Sequence, residues 1–179
     1  MRKRGGAGPA MAVIEELAKK GVFRERDLTK HDLSHNWLHE ARMMGLVTRH
    51  RCGVWSHRAY VPTRYELMQV RVPKAVFWGP TALWLLGVEA EEPAELWLAI
   101  GNKSRSPRNL DLSTVLVRTR HLEDDVVTLR PGQRLLTLRA YSHSRSVADI
   151  ARANLQRMLE RAASHDSFTW RPRPRPSFP

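Results

Sequence analysis

Between Pro9 and Lys20 the apolar residues Met11, Ile14, Leu17 and Ala18 recur at three- and four-residue steps, opposite Glu15, Glu16 and Lys19. That spacing predicts an amphipathic helix, with Pro suited to the first turn and Gly21 closing the end. A shorter helix over residues 24–30 is expected next, broken at His31-Asp32-Leu33. Ser34 is placed to accept a hydrogen bond from a first-turn N–H and so to open a second helix. No Glu or Gln stands three positions later, so the full capping box is missing. In this helix Trp37, Leu38, Ala41 and Met44 form the inward stripe, and His35, Asn36, His39, Glu40, Arg42 and Met43 point out. Gly45 ends it. Residues 46–49 and 54–56 then alternate around the turn Arg51-Cys52-Gly53 and predict two paired strands.

Helix, turn, helix and a two-stranded wing is the layout of a winged helix-turn-helix. Such a module buries one face of its second helix and offers the other to a DNA groove. The alternative is an ordinary solvated face on a helical hairpin, which the paired strands disfavour.

After Tyr60 the pattern changes. Residues 61–64 are expected as a linker or a continuation of the wing, and residues 66–72 fit either a helix or an extended segment. Residues 75–78 are apolar and lead through Gly79-Pro80 into a short buried helix over residues 81–86, ended by Gly87. Residues 95–100, 114–120, 126–129 and 135–141 predict strands, with a polar, basic loop over residues 101–108. Trp78, Trp84 and Trp97 fall within apolar runs and are expected in the core. A last helix over residues 146–163 is expected to open on Ser146 and Asp149. Its inward stripe would be Val147, Ile150, Ala151, Asn154, Leu155, Met158 and Ala162. In residues 167–179 alternating Pro and Arg exclude a helix. The expected class is α+β: an N-terminal winged helix-turn-helix followed by a small mixed α/β domain. Residues 1–8 would be a flexible basic arm, 9–62 the DNA-binding unit, 63–164 the α/β unit and 165–179 a Pro/Arg-rich tail.

Charge changes this picture by suggesting a partner. The 179 residues carry 30 Lys and Arg against 18 Asp and Glu, a net charge of +12. Such an excess favours a polyanion. Arg outnumbers Lys by 24 to 6, which a GC-rich coding bias also produces, so the sign of the charge informs more than the Arg preference. Residues 1–60 hold +6 of the total and five of the eight histidines. Base-facing or phosphate-facing candidates are therefore Ser34, His35, Asn36, His39 and Arg42 on the helix, and Arg49, His50 and Arg51 on the wing. Arg2, Lys3 and Arg4 are candidates for contacts from the arm. Asn pairs with adenine and Arg with guanine or phosphate.

Enzyme chemistry finds no such support. The chain contains no His-Glu-x-x-His, no phosphate loop and no Gly-x-Ser-x-Gly. His31, His35 and His39 are spaced by four, yet His31 is expected in the turn and no thiolate or carboxylate completes a site. Glu123-Asp124-Asp125 is expected as a solvated turn. The single Cys52 excludes an internal disulfide and argues against a Cys-based zinc site. No catalysis, cofactor or metal is expected. No apolar run approaches the ~20 residues that span a bilayer, and the N-terminus lacks a signal-peptide core, so the expected location is cytoplasmic.

Several segments together resemble the AbiEi-type antitoxins of bacterial type IV toxin–antitoxin (abortive infection) systems. They are Phe23-Arg-Glu-Arg-Asp-Leu28, Leu33-Ser34, Gly45-Leu46-Val47 and Gly53-Val54-Trp55, then Thr81-Ala-Leu-Trp-Leu-Leu-Gly87, Glu95-Leu-Trp-Leu-Ala-Ile100 and Tyr141-Ser-His-Ser-Arg-Ser-Val-Ala-Asp149. Their order across residues 10–163 carries the resemblance. It implies a winged-helix transcriptional regulator that binds operator DNA and represses its own operon. It also implies a downstream region that counters a nucleotidyltransferase-like toxin without requiring a stable complex. Longer members continue with further helices or an appended nuclease-like domain, so DNA binding is the firmer expectation here. Two alternatives stay open: a protein-interaction module that binds a toxin or another partner, and a remnant of a larger nucleic-acid enzyme.

Overall fold

The computed structural model describes residues 7–107, 113–130 and 135–166. The first helix, α1 (Ala7–Lys19), buries Ala10, Ile14, Leu17 and Ala18. It begins ahead of Pro9 and so takes residues 7 and 8 from the expected arm. Arg2, Lys3 and Arg4 lie outside the described residues. A strand that the pattern does not reveal, β1 (Val22–Arg24), comes next; three residues are too few to display alternation. The expected short helix is a 3-10 helix, Glu25–His31. The Arg24 backbone N–H donates to the Asp27 carboxylate at 2.9 Å, which ties the end of the strand to the helix. Asp32 adopts a left-handed φ of 54°, and the Leu33 N–H returns to the Leu28 carbonyl at 3.2 Å.

Three further elements follow: α2 (Asn36–Met43), β2 (Val47–Arg49) and β3 (Val54–His57). The helix opens two residues after Ser34, whose hydroxyl accepts the Asn36 N–H at 3.4 Å. Gly45 (φ 72°) closes it, with the Leu46 N–H bonded to the Ala41 carbonyl at 2.9 Å. The expected two-stranded wing is part of a three-stranded antiparallel sheet in the order β1-β3-β2. Ile14, Phe23, Leu28, Leu38, Ala41 and Trp55 pack together beneath it. Met44, expected inward, is 65% exposed because it caps the helix end and the chain turns away at Gly45.

The segment left open between helix and strand is α3 (Arg64–Arg71). Its start shows why residues 61–64 are not simply a linker. The Thr63 hydroxyl accepts the Glu66 N–H at 3.2 Å, and the Glu66 carboxylate accepts the Thr63 N–H at 2.8 Å, a complete capping box. Glu66 is buried and also accepts from the Tyr60 hydroxyl. This helix serves two cores. Tyr65 and Met68 enter the core of the second sheet, while Val70 joins Val22 and Val54 at the seam with the first.

The second sheet has five strands: β4 (Val76–Phe77), β5 (Leu96–Gly101), β6 (Thr114–Thr119), β7 (Val126–Leu129) and β8 (Leu138–Tyr141). Their order is β6-β5-β4-β8-β7, with β5–β6 and β4–β8 parallel and the other pairs antiparallel. The strand expected over residues 135–141 shortens to β8. The helix α4 (Gly79–Leu85), with Pro80 in its first turn, matches the expected buried helix. Its Thr81 hydroxyl accepts the Trp97 N–H at 3.0 Å and donates to the Glu95 carbonyl at 3.3 Å, stitching helix to strand. Trp78 is buried, and Trp84 and Trp97 pack half-buried against the two faces of the sheet.

The last helix, α5 (His143–Asp166), starts three residues before the expected Ser146. Ser142 accepts the Arg145 N–H at 3.4 Å, and Ser146 is wholly buried one turn into the helix. Arg145 lies 5.0 Å over the Tyr141 ring and bonds Asp149 at 2.9 Å. The expected inward stripe is therefore displaced. Ser146 faces in with Ile150 half-buried behind it, whereas Val147, Ala151, Asn154 and Leu155 face out. The Pro/Arg-rich residues 167–179 lie outside the described residues. The molecule is α+β, with helices against two sheets, and no helix among the described residues is long and apolar enough to cross a membrane.

Candidate nucleic-acid interface

The side chains of α2 sort by the 3.6-residue turn. Leu38 and Ala41 are buried against α1 and the first sheet, and Trp37 is half-buried beside them. At about 100° per residue, the direction opposite this seam falls between Asn36 and His39 and is occupied by Met43. His35 and Arg42 lie on one flank of the outward face, and Glu40 lies on the other. All six are exposed. Four of the candidates, His35, Asn36, His39 and Arg42, are thus brought together on one helix surface. Ser34 is exposed beside them at the helix start.

The hairpin candidates divide. Arg49 and Arg51 are exposed, and the Arg49 guanidinium sits 5.8 Å over the Trp55 ring, which holds it on the sheet. His50 does not belong with them. Its Nε2 lies 2.9 Å from the hydroxyl of Ser56, a wholly buried residue. That hydroxyl is within 3.1 Å of the carbonyls of His57 and Tyr60. A hydroxyl has one hydrogen, and the two carbonyls take it, so the imidazole Nε2–H is the donor to Ser56. Burial also lowers the His50 pKa from its ordinary value. The imidazole is a buttress of the hairpin.

Two further residues join the surface, the first of which spacing alone does not supply. A Cβ built on Gly45 would lie 3.2 Å from the Arg58 Nη1, so Arg58 stands over the C-terminal end of α2. Its backbone N–H is bonded to the Leu46 carbonyl at 3.0 Å, a contact made across the hairpin and invisible in a linear pattern. A cation there also complements the negative end of the helix dipole. The second residue is Met43, whose central place the helical period does reveal.

Elsewhere several charged groups are occupied within the fold. Arg139 reaches the Lys74 carbonyl at 3.2 Å and pairs with Glu123. Arg118 clamps the loop after β5 through the carbonyls of Asn102 and Ser104 and the Ser106 hydroxyl. His121 lies 3.1 Å from Asp124. Among the described residues no three His, Cys, Asp or Glu side chains converge as metal ligands. No family model matches the chain, and no curated protein does.

Proposed function

We propose that this chain is a DNA-binding transcriptional regulator built on a winged helix-turn-helix, of the AbiEi-like antitoxin type. On this reading it is a binding protein and not an enzyme. It acts in the cytoplasm, represses its own operon, and counters a nucleotidyltransferase-like toxin. The observation that carries the DNA-binding part is the two-sidedness of α2. Leu38 and Ala41 anchor it to the sheet-backed head, and His35, Asn36, His39 and Arg42 stand exposed together on the outer side. The net charge of +12 supports a polyanionic partner. The antitoxin part rests on the sequence resemblance.

The roles divide by position. Asn36 and His39, near the centre of the outward face, suit base edges. Arg42, Arg49, Arg51 and Arg58, on flanks and hairpin, suit phosphates. A gel shift with the duplex upstream of its own coding region, against an unrelated duplex of equal length, tests this. Preferential retardation of the upstream duplex at moderate salt is expected; equal affinity for both would reject sequence-specific repression. Growth rescue on co-expression with a neighbouring nucleotidyltransferase-like protein tests the antitoxin part.

A second reading, docking of a protein partner on the downstream half, is favoured by one feature. Val147, Ala151 and Leu155 follow each other at four-residue steps on the exposed side of α5, with Leu155 58% exposed. Loss of a co-purifying partner in a Val147→Ser, Leu155→Ser variant would identify that stripe as the contact.

A further inference from the structure

The centre of the outward face of α2 is apolar. Met43 is 76% exposed, lies nearly opposite the Leu38–Ala41 seam, and stands between Asn36 and His39. The other residues of α2 on that face are polar or charged, and Met44, 65% exposed, follows at the helix end. From this position we infer that Met43 is a specificity-determining residue that reads the C5-methyl of a thymine in the major groove. The inference rests on the proposed DNA-binding role of α2 and names what the middle of that helix recognises.

Chemistry narrows the partner. A helix seated in the major groove presents its central side chains to base edges, and phosphates are met from the flanks. Base edges there offer donors and acceptors plus one apolar group on the unmodified bases, the thymine methyl. Asn36 and His39 match the polar edges. Met43 matches the methyl, and its unbranched, polarisable thioether adapts to the position of that group.

The test begins with full-length protein and a randomised duplex pool, from which the bound sequences are enriched. Each thymine of the enriched site is then replaced singly by deoxyuracil, which removes the methyl and leaves the hydrogen-bonding edge unchanged. For the wild type, one such replacement is expected to weaken binding about fourfold, the worth of one buried methyl group. Met43→Ala should bind the thymine and uracil duplexes equally, and Met43→Leu should keep the preference. Because Met43 is exposed, both variants should melt like the wild type, which circular dichroism checks. An equal thymine-to-uracil ratio in Met43→Ala and wild type, or no such ratio at any thymine, overturns the inference while DNA reading stands. A pool that yields no enriched sequence overturns the DNA-binding proposal itself.

Discussion

Ser146 is wholly buried, and its hydroxyl has no hydrogen-bond partner among the described residues. An unsatisfied buried hydroxyl costs on the order of 1 kcal/mol or more, so Ser146→Ala should stabilise the fold slightly, read as a higher urea midpoint. A result of the opposite sign would mean that the hydroxyl is bonded. Leu38 shows the other limit. It is almost fully buried on the inner side of α2, and Leu38→Ala should cost about 2–4 kcal/mol. Asn36→Ala, about half a turn away on the outer side, should change stability by less than about 0.5 kcal/mol. His50 gives a pH signature. Its imidazole titrates below the ordinary 6.5, so between its lowered value and 6.5 the unfolded chain binds more protons than the folded one. Stability is full above that window and falls as the pH drops through it. His50→Gln should flatten this decline in denaturation midpoints measured from neutral down to about pH 5.

At the scale of elements, Gly45 and the capping box of α3 set where chain segments turn. Gly45 has φ 72°, and an added Cβ would meet the Arg58 guanidinium. Gly45→Ala should therefore cost about 1–2 kcal/mol, and it should also move Arg58 away from the helix end. Thermal unfolding followed by circular dichroism checks the cost. How much of these elements the residues announce depends on length and partners. The outward face of α2 and most strands of the second sheet are legible because periodicity or alternation persists over four or more residues. β1 is not, because three residues carry no period and their strand character comes from pairing with β3. The buried side of α5 is misread from spacing for a related reason. Its amphipathic pattern marks Val147, Ala151 and Leu155, but the neighbouring α4 takes the Ser146–Ile150 side. His50 belongs to the same class: its role depends on Ser56 across the hairpin, six residues away.

At the scale of the molecule, α3 binds the two sheets into one body. Tyr65 and Met68 pack in the second core, and Val70 packs with Val22 and Val54 of the first sheet. The Tyr60–Glu66–Thr63 network fixes how the chain enters this helix. Unfolding followed by far-ultraviolet circular dichroism and by tryptophan fluorescence should then give coincident transitions; two separated midpoints would show independent halves. Through this shared seam the second sheet is packed against the sheet that carries α2. Fluorescence anisotropy tests whether the outward face of α2 reads DNA. The wild type and an Asn36→Ala, Arg42→Ala variant are titrated onto the enriched or upstream duplex at moderate salt. Loss of an Asn36 groove contact, worth about 1–3 kcal/mol, together with an Arg42 phosphate contact should weaken binding at least tenfold with the melting temperature unchanged. A variant that binds that duplex as tightly as the wild type would contradict the claim.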